Sequence, residues 1–278
     1  MPEFFIGTPH RLPVSVRKPV MLSSSAAKPD MPCIFAFYDI TWDDGRFNCL
    51  WKHEQTLRAD IGAALNDFEA DVVLLSECGE VGIGLTPTLW LPLLRRICGP
   101  DFDVTHQGHY TSIVKRATMQ ITAEPSLRGP LTTAPNHAYR MCQHLQVVPK
   151  GSVGKPIDLY NCHSPASTRH PLLPQVRKDI LEWFRQNMGP QAILGGHLNS
   201  SVLSLDDVFK VDRGIHYCYE SDHLHGDVAI ARGLQAASMQ CEVRSTSKAH
   251  KMVVVMATVR PAQEKHSADK LESDPSAD

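Results

Sequence analysis

Four short stretches place a residue able to handle a metal ion or a proton at the border of an apolar run. They are Leu75-Ser76-Glu77, Tyr160-Asn161-Cys162-His163, Gly195-Gly196-His197-Leu198-Asn199 and Ala249-His250. A carboxylate ligates hard cations, an imidazole moves protons near neutral pH, and an amide donates to an oxyanion. The ends of strands suit such work, because loops gather there and rigid backbone holds reacting groups in place. Taken singly, each stretch also fits a solvated strand end or a structural histidine. A fifth group, His216, Cys218, His223 and His225, gathers four borderline ligands that could hold Zn²⁺. Its spacing, His-x-Cys-x₄-His-x-His, follows no mechanically required zinc pattern and equally fits a histidine-containing surface loop. Cys162 and His163 do not make a nucleophile–base dyad, since neighbours on a strand point to opposite faces.

The elements that must position these residues alternate between two periods. Cys33–Ile40, with Phe35, Phe37 and Tyr38, and the β-branched run Asp71–Leu75 read as strands. Leu57, Ile61, Leu65 and Phe68 recur at helical spacing within 52–69, and 88–97 reads as a second helix with Pro92 in its first turns. Strands are expected over 119–123, 139–148 and 157–161, followed by a helix over 174–187 with Val176, Ile180 and Phe184 on one face. Ala192–Leu194 reads as a strand running into a Gly195-Gly196 loop, and 227–231 and 252–259 are the closing strands. Sheets packed face to face with helices outside satisfy this order. Arg140 and His144 fall on one face of their strand, either lining a groove or simply exposed. Trp42 and Trp51 flank the loop after the first strand, where packing explains them.

Composition sets bounds. The chain has 278 residues, 42% of them hydrophobic and 21% charged, which is enough for a full core without staples. A formal net charge of -2 writes no extended basic surface into the whole, although a local basic groove stays open. The 8 cysteines are scattered, with no C-x-x-C, as expected of reduced thiols in an intracellular protein. No apolar run reaches the roughly 18 residues that span a bilayer. Residues 1–30, rich in Pro and Ser, read as a flexible arm; the acid-poor stretch 11–28 also fits an organelle leader. Residues 31–260 read as one domain, and 261–278 as a disordered tail.

In order and flanks, the stretches DVVLLSECGE, IDLYNCHSP, AILGGHLNS and GDVAIARGL…KAHKMVVVMATV resemble the endonuclease/exonuclease/phosphatase superfamily, which includes DNase I-like nucleases. The resemblance covers about residues 33 to 260. It implies a four-layered α/β/β/α sandwich of two packed mixed sheets. It also implies Mg²⁺-dependent hydrolysis of a phosphodiester, with Mn²⁺ as a substitute, on nucleic acid or another phosphodiester. Carried over, Glu77 is a metal ligand and His163 and Asn199 steady the phosphate. His250 is the terminal catalytic histidine, with Asp227 matching an aspartate that precedes it.

Asp39, in FYDITW, stands where the family has an asparagine and can still ligate the metal. His197 replaces the family's aspartate in AILGGHLNS, and Ala249 replaces the one before His250. Reduced or altered activity is the expectation, with a catalytically inactive module binding nucleic acid or protein as the alternative. Ser221-Asp222-His223 offers a second placement for the last motif, but it leaves the closing strands without a place in the family's order. Tyr110 resembles an aromatic that some members hold near the phosphate, and it fits a core position equally. Domains of this kind also occur in retroelement polyproteins.

Overall fold

Alternation decides which way each strand faces, and here both faces of most strands are covered. The computed structural model describes residues 31–40, 50–76, 78, 87–129, 142–152, 154–164, 173–198, 215–219, 227–242 and 252–259. The strands are β1 (Met31–Asp39), β2 (Val72–Ser76), β3 (Phe102–Gln107), β4 (Tyr110–Lys115), β5 (Met119–Arg128), β6 (Cys142–Pro149), β7 (Ile157–His163), β8 (Ala192–His197), β9 (Ile215–Tyr219), β10 (Asp227–Arg232), β11 (Gln235–Glu242) and β12 (Met252–Val259). The helices are α1 (Leu50–Gly62), which widens into a π turn over Ala63–Asp67, α2 (Pro87–Cys98) and α3 (Leu173–Asn187).

One six-stranded sheet runs β11-β12-β1-β2-β4-β3, the other β5-β6-β7-β8-β10-β9. Each has one parallel pair, β1 with β2 and β7 with β8. Those are the neighbours joined through a helix, α1 or α3, as a parallel crossover requires. Phe35, Phe37, Val72, Leu74, Leu159 and Ile193 fill the space between the sheets. Their sequence neighbours Ala36, Tyr38, Val73 and Leu75 pack under α1 and α2. On the far side Tyr160, Cys162 and Leu194 pack under Ile180, Leu181 and Phe184 of α3. The result is the expected four-layered α/β/β/α sandwich. No helix among the described residues is long and apolar enough to cross a membrane.

Several expectations need correction. Gly195 and Gly196 belong to β8 rather than to a loop after it. A Cβ on Gly195 would lie 2.3 Å from the Phe37 ring, and Gly196 holds φ at 120°, where L side chains are strained. Strand β5 continues to Arg128 past Pro125, with register shifts on either side of Ala123. Strands β3, β4, β9 and β11 are additional. Gly108, with a positive φ, and His109 make the tight connection between β3 and β4. His144 is neither exposed nor groove-lining: it is 3% accessible, stacked on Tyr160 with ring centroids 4.7 Å apart. Arg140, Trp42, the arm and the tail lie outside the described residues.

The ring of His144 donates through Nε2 to Asp158 Oδ1 at 2.8 Å, and Gln146 Nε2 donates to the same oxygen at 2.8 Å. Burial pushes the Asp158 carboxyl up, but these donors outweigh it and hold the group below the usual carboxylate range. A depressed acid stabilises the fold above its unfolded value and loses that contribution as pH falls through the folded one. Asp158→Asn should therefore cost about 1–3 kcal/mol at neutral pH. The gap to the natural chain should narrow below about pH 4 in urea unfolding followed across pH. Gly195→Ala should cost about 1–3 kcal/mol in the same assay, because the Phe37 ring has to move.

Candidate active site at the rim of the two sheets

Strands β1, β2, β7 and β8 all end at one rim, and their last inward-facing residues are polar. Asp39 closes β1 beside Ser76 of β2, and His163 closes β7 in register with His197 of β8. Because β1 packs on β8 and β2 on β7 and β8 across the sandwich, the two pairs meet. His163 Nδ1 lies 3.4 Å from Asp39 Oδ2. The His163 and His197 rings are 5.3 Å apart, edge to face. Asp39 is 1%, His163 6% and His197 3% accessible.

Neighbouring groups hold these three in place. Ser76 Oγ donates to Asp39 Oδ2 at 2.9 Å. The His163 peptide N–H donates to the Tyr110 hydroxyl at 3.1 Å. Ser164 N–H donates to the His197 carbonyl at 2.9 Å, and its hydroxyl donates to the Leu198 carbonyl. Asn161, two residues before His163 and so on the same face, donates through Nδ2 across the sandwich to the Leu75 carbonyl at 2.9 Å. That bond ties β7 to β2 one residue short of Ser76. Burial first, then the nearby Cys162 thiol and the Asp39 carboxylate, pushes the Tyr110 phenol well above its ordinary value, so it stays protonated. Burial likewise pushes the Cys78 thiol up to about 12, which leaves it without thiolate character.

Of the residues singled out in the sequence, Asp39, His163 and His197 are brought together. Tyr110 joins them from β4, through the backbone of His163 rather than through its ring. Asp227 begins β10 directly opposite His197 in the antiparallel ladder. Strand β12, whose Val253 pairs with Phe37, begins at the same rim. Glu77, Asn199, His250, Ala249 and Ser221–His223 lie outside the described residues. His216 and Cys218 fall on β9, opposite Ala231 and Ala229. Sequence reasoning missed the supporting roles of Ser76, Asn161 and Ser164. The period-2 offset of Asn161 from His163 was the one available signal.

The described donors at this rim do not make a Mg²⁺ shell, which takes oxygen ligands. They are one carboxylate, one hydroxyl and two imidazoles. Among the described residues, no three His, Cys, Asp or Glu converge to hold a metal ion as they stand. Desolvated and fixed on strand ends, the set can donate hydrogen bonds to an anion or relay a proton between imidazole and carboxylate.

No family model and no curated protein sequence matches the chain. Solved structures do. An endonuclease/exonuclease/phosphatase from Bacteroides vulgatus superposes with a TM-score of 0.58 at 11% identity, over 82% of this chain and 98% of that one. The fold is that of the endonuclease/exonuclease/phosphatase proteins. A humanized D. rerio TDP2 carrying 14 mutations shares this DNase I-like fold, with a TM-score of 0.57 and 14% identity over 82% and 99% of the two chains. A mannosyl-6-phosphatase from Bacteroides thetaiotaomicron VPI-5482 gives 0.57 and 13% over 82% and 100%.

Within the endonuclease/exonuclease/phosphatase fold, Tyr110 is a support of the rim from beneath. Tyr110→Phe removes the acceptor of the buried His163 N–H and should cost about 1–3 kcal/mol in chemical denaturation, with the apolar core unaltered.

Proposed function

We propose that the chain is a divalent-metal-dependent phosphoesterase of nuclease-like kind, acting on a phosphodiester. The observation that carries this reading is the meeting of Asp39, His163 and His197 from two different sheets at one desolvated rim. Their order along the chain matches the resemblance found in the sequence, and the likeness to solved endonuclease/exonuclease/phosphatase structures supports it. A D. rerio TDP2 solved with a single-strand DNA product, at 13% identity and a TM-score of 0.56, makes nucleic acid the first substrate to try.

In this reading a bound divalent cation supplies charge neutralisation at the phosphate. Asp39 and Glu77 hold it. His163 and Asn199 donate hydrogen bonds to the non-bridging oxygens, where charge grows as the nucleophile attacks. His197 stands where the family places an aspartate and takes a proton from the attacking water. His250, with Asp227 nearby in the motif order, orients the phosphate and protonates the leaving oxygen. The low exposure of Asp39, His163 and His197 strengthens their interactions relative to water.

A second reading, a binding module without turnover, is favoured by His197 and Ala249 occupying the two aspartate positions. Three purified proteins separate the readings on single-stranded DNA, abasic duplex and a generic phosphodiester with divalent cations. They are the natural chain, His163→Ala, and the double replacement His197→Asp with Ala249→Asp. The phosphoesterase reading expects turnover by the natural chain that falls about 10²–10³-fold in His163→Ala. Turnover in the double replacement alone would decide for the eroded module. Turnover that ignores His163 would remove the rim from the chemistry.

A further inference from the structure

We propose that Cys142 and Cys162 form a reversible disulfide, closed by a small peroxide, and that its closing moves His163 at the rim. The inference goes beyond the proposed function and holds whether or not the rim turns over a phosphodiester. The ladder between β6 and β7 pairs Leu145 with Leu159, His144 with Tyr160 and Gln143 with Asn161. One more step of that register sets Cys142, the first residue of β6, against Cys162 of β7. Facing residues of two paired strands point to the same side, and both thiols lie with Tyr160 in the apolar layer beneath α3. The Cys162 thiol is near enough to add to burial in holding the Cys142 thiol well above its ordinary value. Both cysteines are free. By contrast Cys33, Cys218 and Cys241 face Ala257, Ala229 and Val253 in their ladders.

The spacing of facing strand residues suits the bond. Their Cα atoms stand about 4.5–5.5 Å apart, inside the range of about 4.4–6.8 Å that a disulfide spans. Their Cβ atoms stand about 4.5–5.5 Å apart, whereas a disulfide draws them to about 3.8 Å. Closing therefore pinches β6 toward β7 at this step, and a strained bridge is readily reduced again. Cys142 Sγ also has to leave the Arg128 carbonyl, to which its thiol donates at 2.9 Å. Both cysteines are 1% accessible, so the oxidant has to be small and uncharged, as hydrogen peroxide is. Burial withholds the thiolate and slows the first step, which makes the pair answer sustained peroxide. In that step one sulfur bonds a peroxide oxygen as the O–O bond breaks, giving a sulfenic acid and a water. The facing sulfur then bonds the first as its S–O bond breaks, and a second water leaves. Two thiols lose two electrons and both protons, and one peroxide is reduced to two waters.

The pinch falls where β7 carries the rim. Cys162 stands between Asn161, whose Nδ2 donates to the Leu75 carbonyl, and His163, whose N–H donates to the Tyr110 hydroxyl. On its other side β7 is held by β8, with Cys162 opposite Gly196 and His163 opposite His197. A pull on Cys162 toward β6 passes to His163 through a single peptide unit, and the His163 ring lies 3.4 Å from Asp39 Oδ2.

The test counts thiols and maps their partners. The full chain is reduced, freed of reductant and exposed to hydrogen peroxide without denaturant; the remaining thiols are alkylated and the peptides weighed. The expected result is the loss of two thiols per chain and a peptide pair joined through Cys142 and Cys162, reopened completely by dithiothreitol. Cys142→Ser and Cys162→Ser should each abolish that pair, and Cys98→Ser should keep it. The His163 ring signal in proton NMR, identified by its loss in His163→Ala, should shift on oxidation of the natural chain and stay in place in Cys142→Ser. Should either serine variant fail to fold, the peptide map of the natural chain still decides. Thiols carried to sulfinic acid without the cross-link, a preferred bridge through another cysteine, or a bridge that dithiothreitol does not open would each overturn the pair. A bridge that leaves the His163 signal unmoved would overturn its link to the rim.

Discussion

Two sheets lie face to face only as closely as the side chains between them allow. Over Phe37 and Gly195 that distance is set by the absence of a side chain on one partner. The aromatic ring occupies the place a Cβ would take, so β1 and β8 approach each other more closely than two side-chain-bearing strands could. The consequence lies two residues further along each strand. Asp39 follows Phe37 and His197 follows Gly195 at the same offset, so the depth of one apolar contact sets the separation of polar groups at the rim. A methyl group at 195 would act on stability and on the meeting of Asp39 with the two histidines together.

Between the sheets the interior changes character along the strands. In one sheet Val72 pairs with Val114, and in the other Leu145, Leu159, Ile193 and Ala231 stand in register, all of them apolar. Two residues on, Ser112 pairs with Leu74 and Gln143 with Asn161, the three polar residues fully buried, and then come Asp39 beside Ser76 and His163 beside His197. Polarity therefore rises toward one end of a continuous core rather than on its surface. Groups held this way are desolvated before any ligand arrives, and the dipoles around them do not have to reorganise at the moment of reaction.

How much of this was readable beforehand follows from the period of each segment. Strand β1, with its apolar run, and the amphipathic helices α1 and α3 were legible, because burial of one face imposes a pattern on the sequence. Strands β3 and β4 were not: in Tyr110–Lys115 both faces are covered, one by the opposite sheet and one by α2, so polar Thr111 and Ser112 are buried alongside Ile113 and Val114. Gly195 and Gly196 looked like a loop, since nothing in the sequence says that a phenyl ring from residue 37 fills the gap. In the site, His163 and His197 could be marked by their positions after apolar runs. Ser76, Asn161 and Ser164 could not, because their roles exist only across the sandwich or between neighbouring strands.

The margins of the sandwich carry a consequence for how this protein meets copies of itself. Strands β3 and β5 are the outermost members of their sheets on one side, and they lie against each other. On the opposite side β9 and β11 do the same. Strand β5 also bears Pro125, which has no N–H to offer, within the second of two irregular steps in its pairing. An incoming chain seeking to extend either sheet by another strand would meet a neighbouring margin and, along β5, an interrupted ladder. A protein that keeps its reactive groups at the strand tips thus leaves its lateral borders poor templates for aggregation.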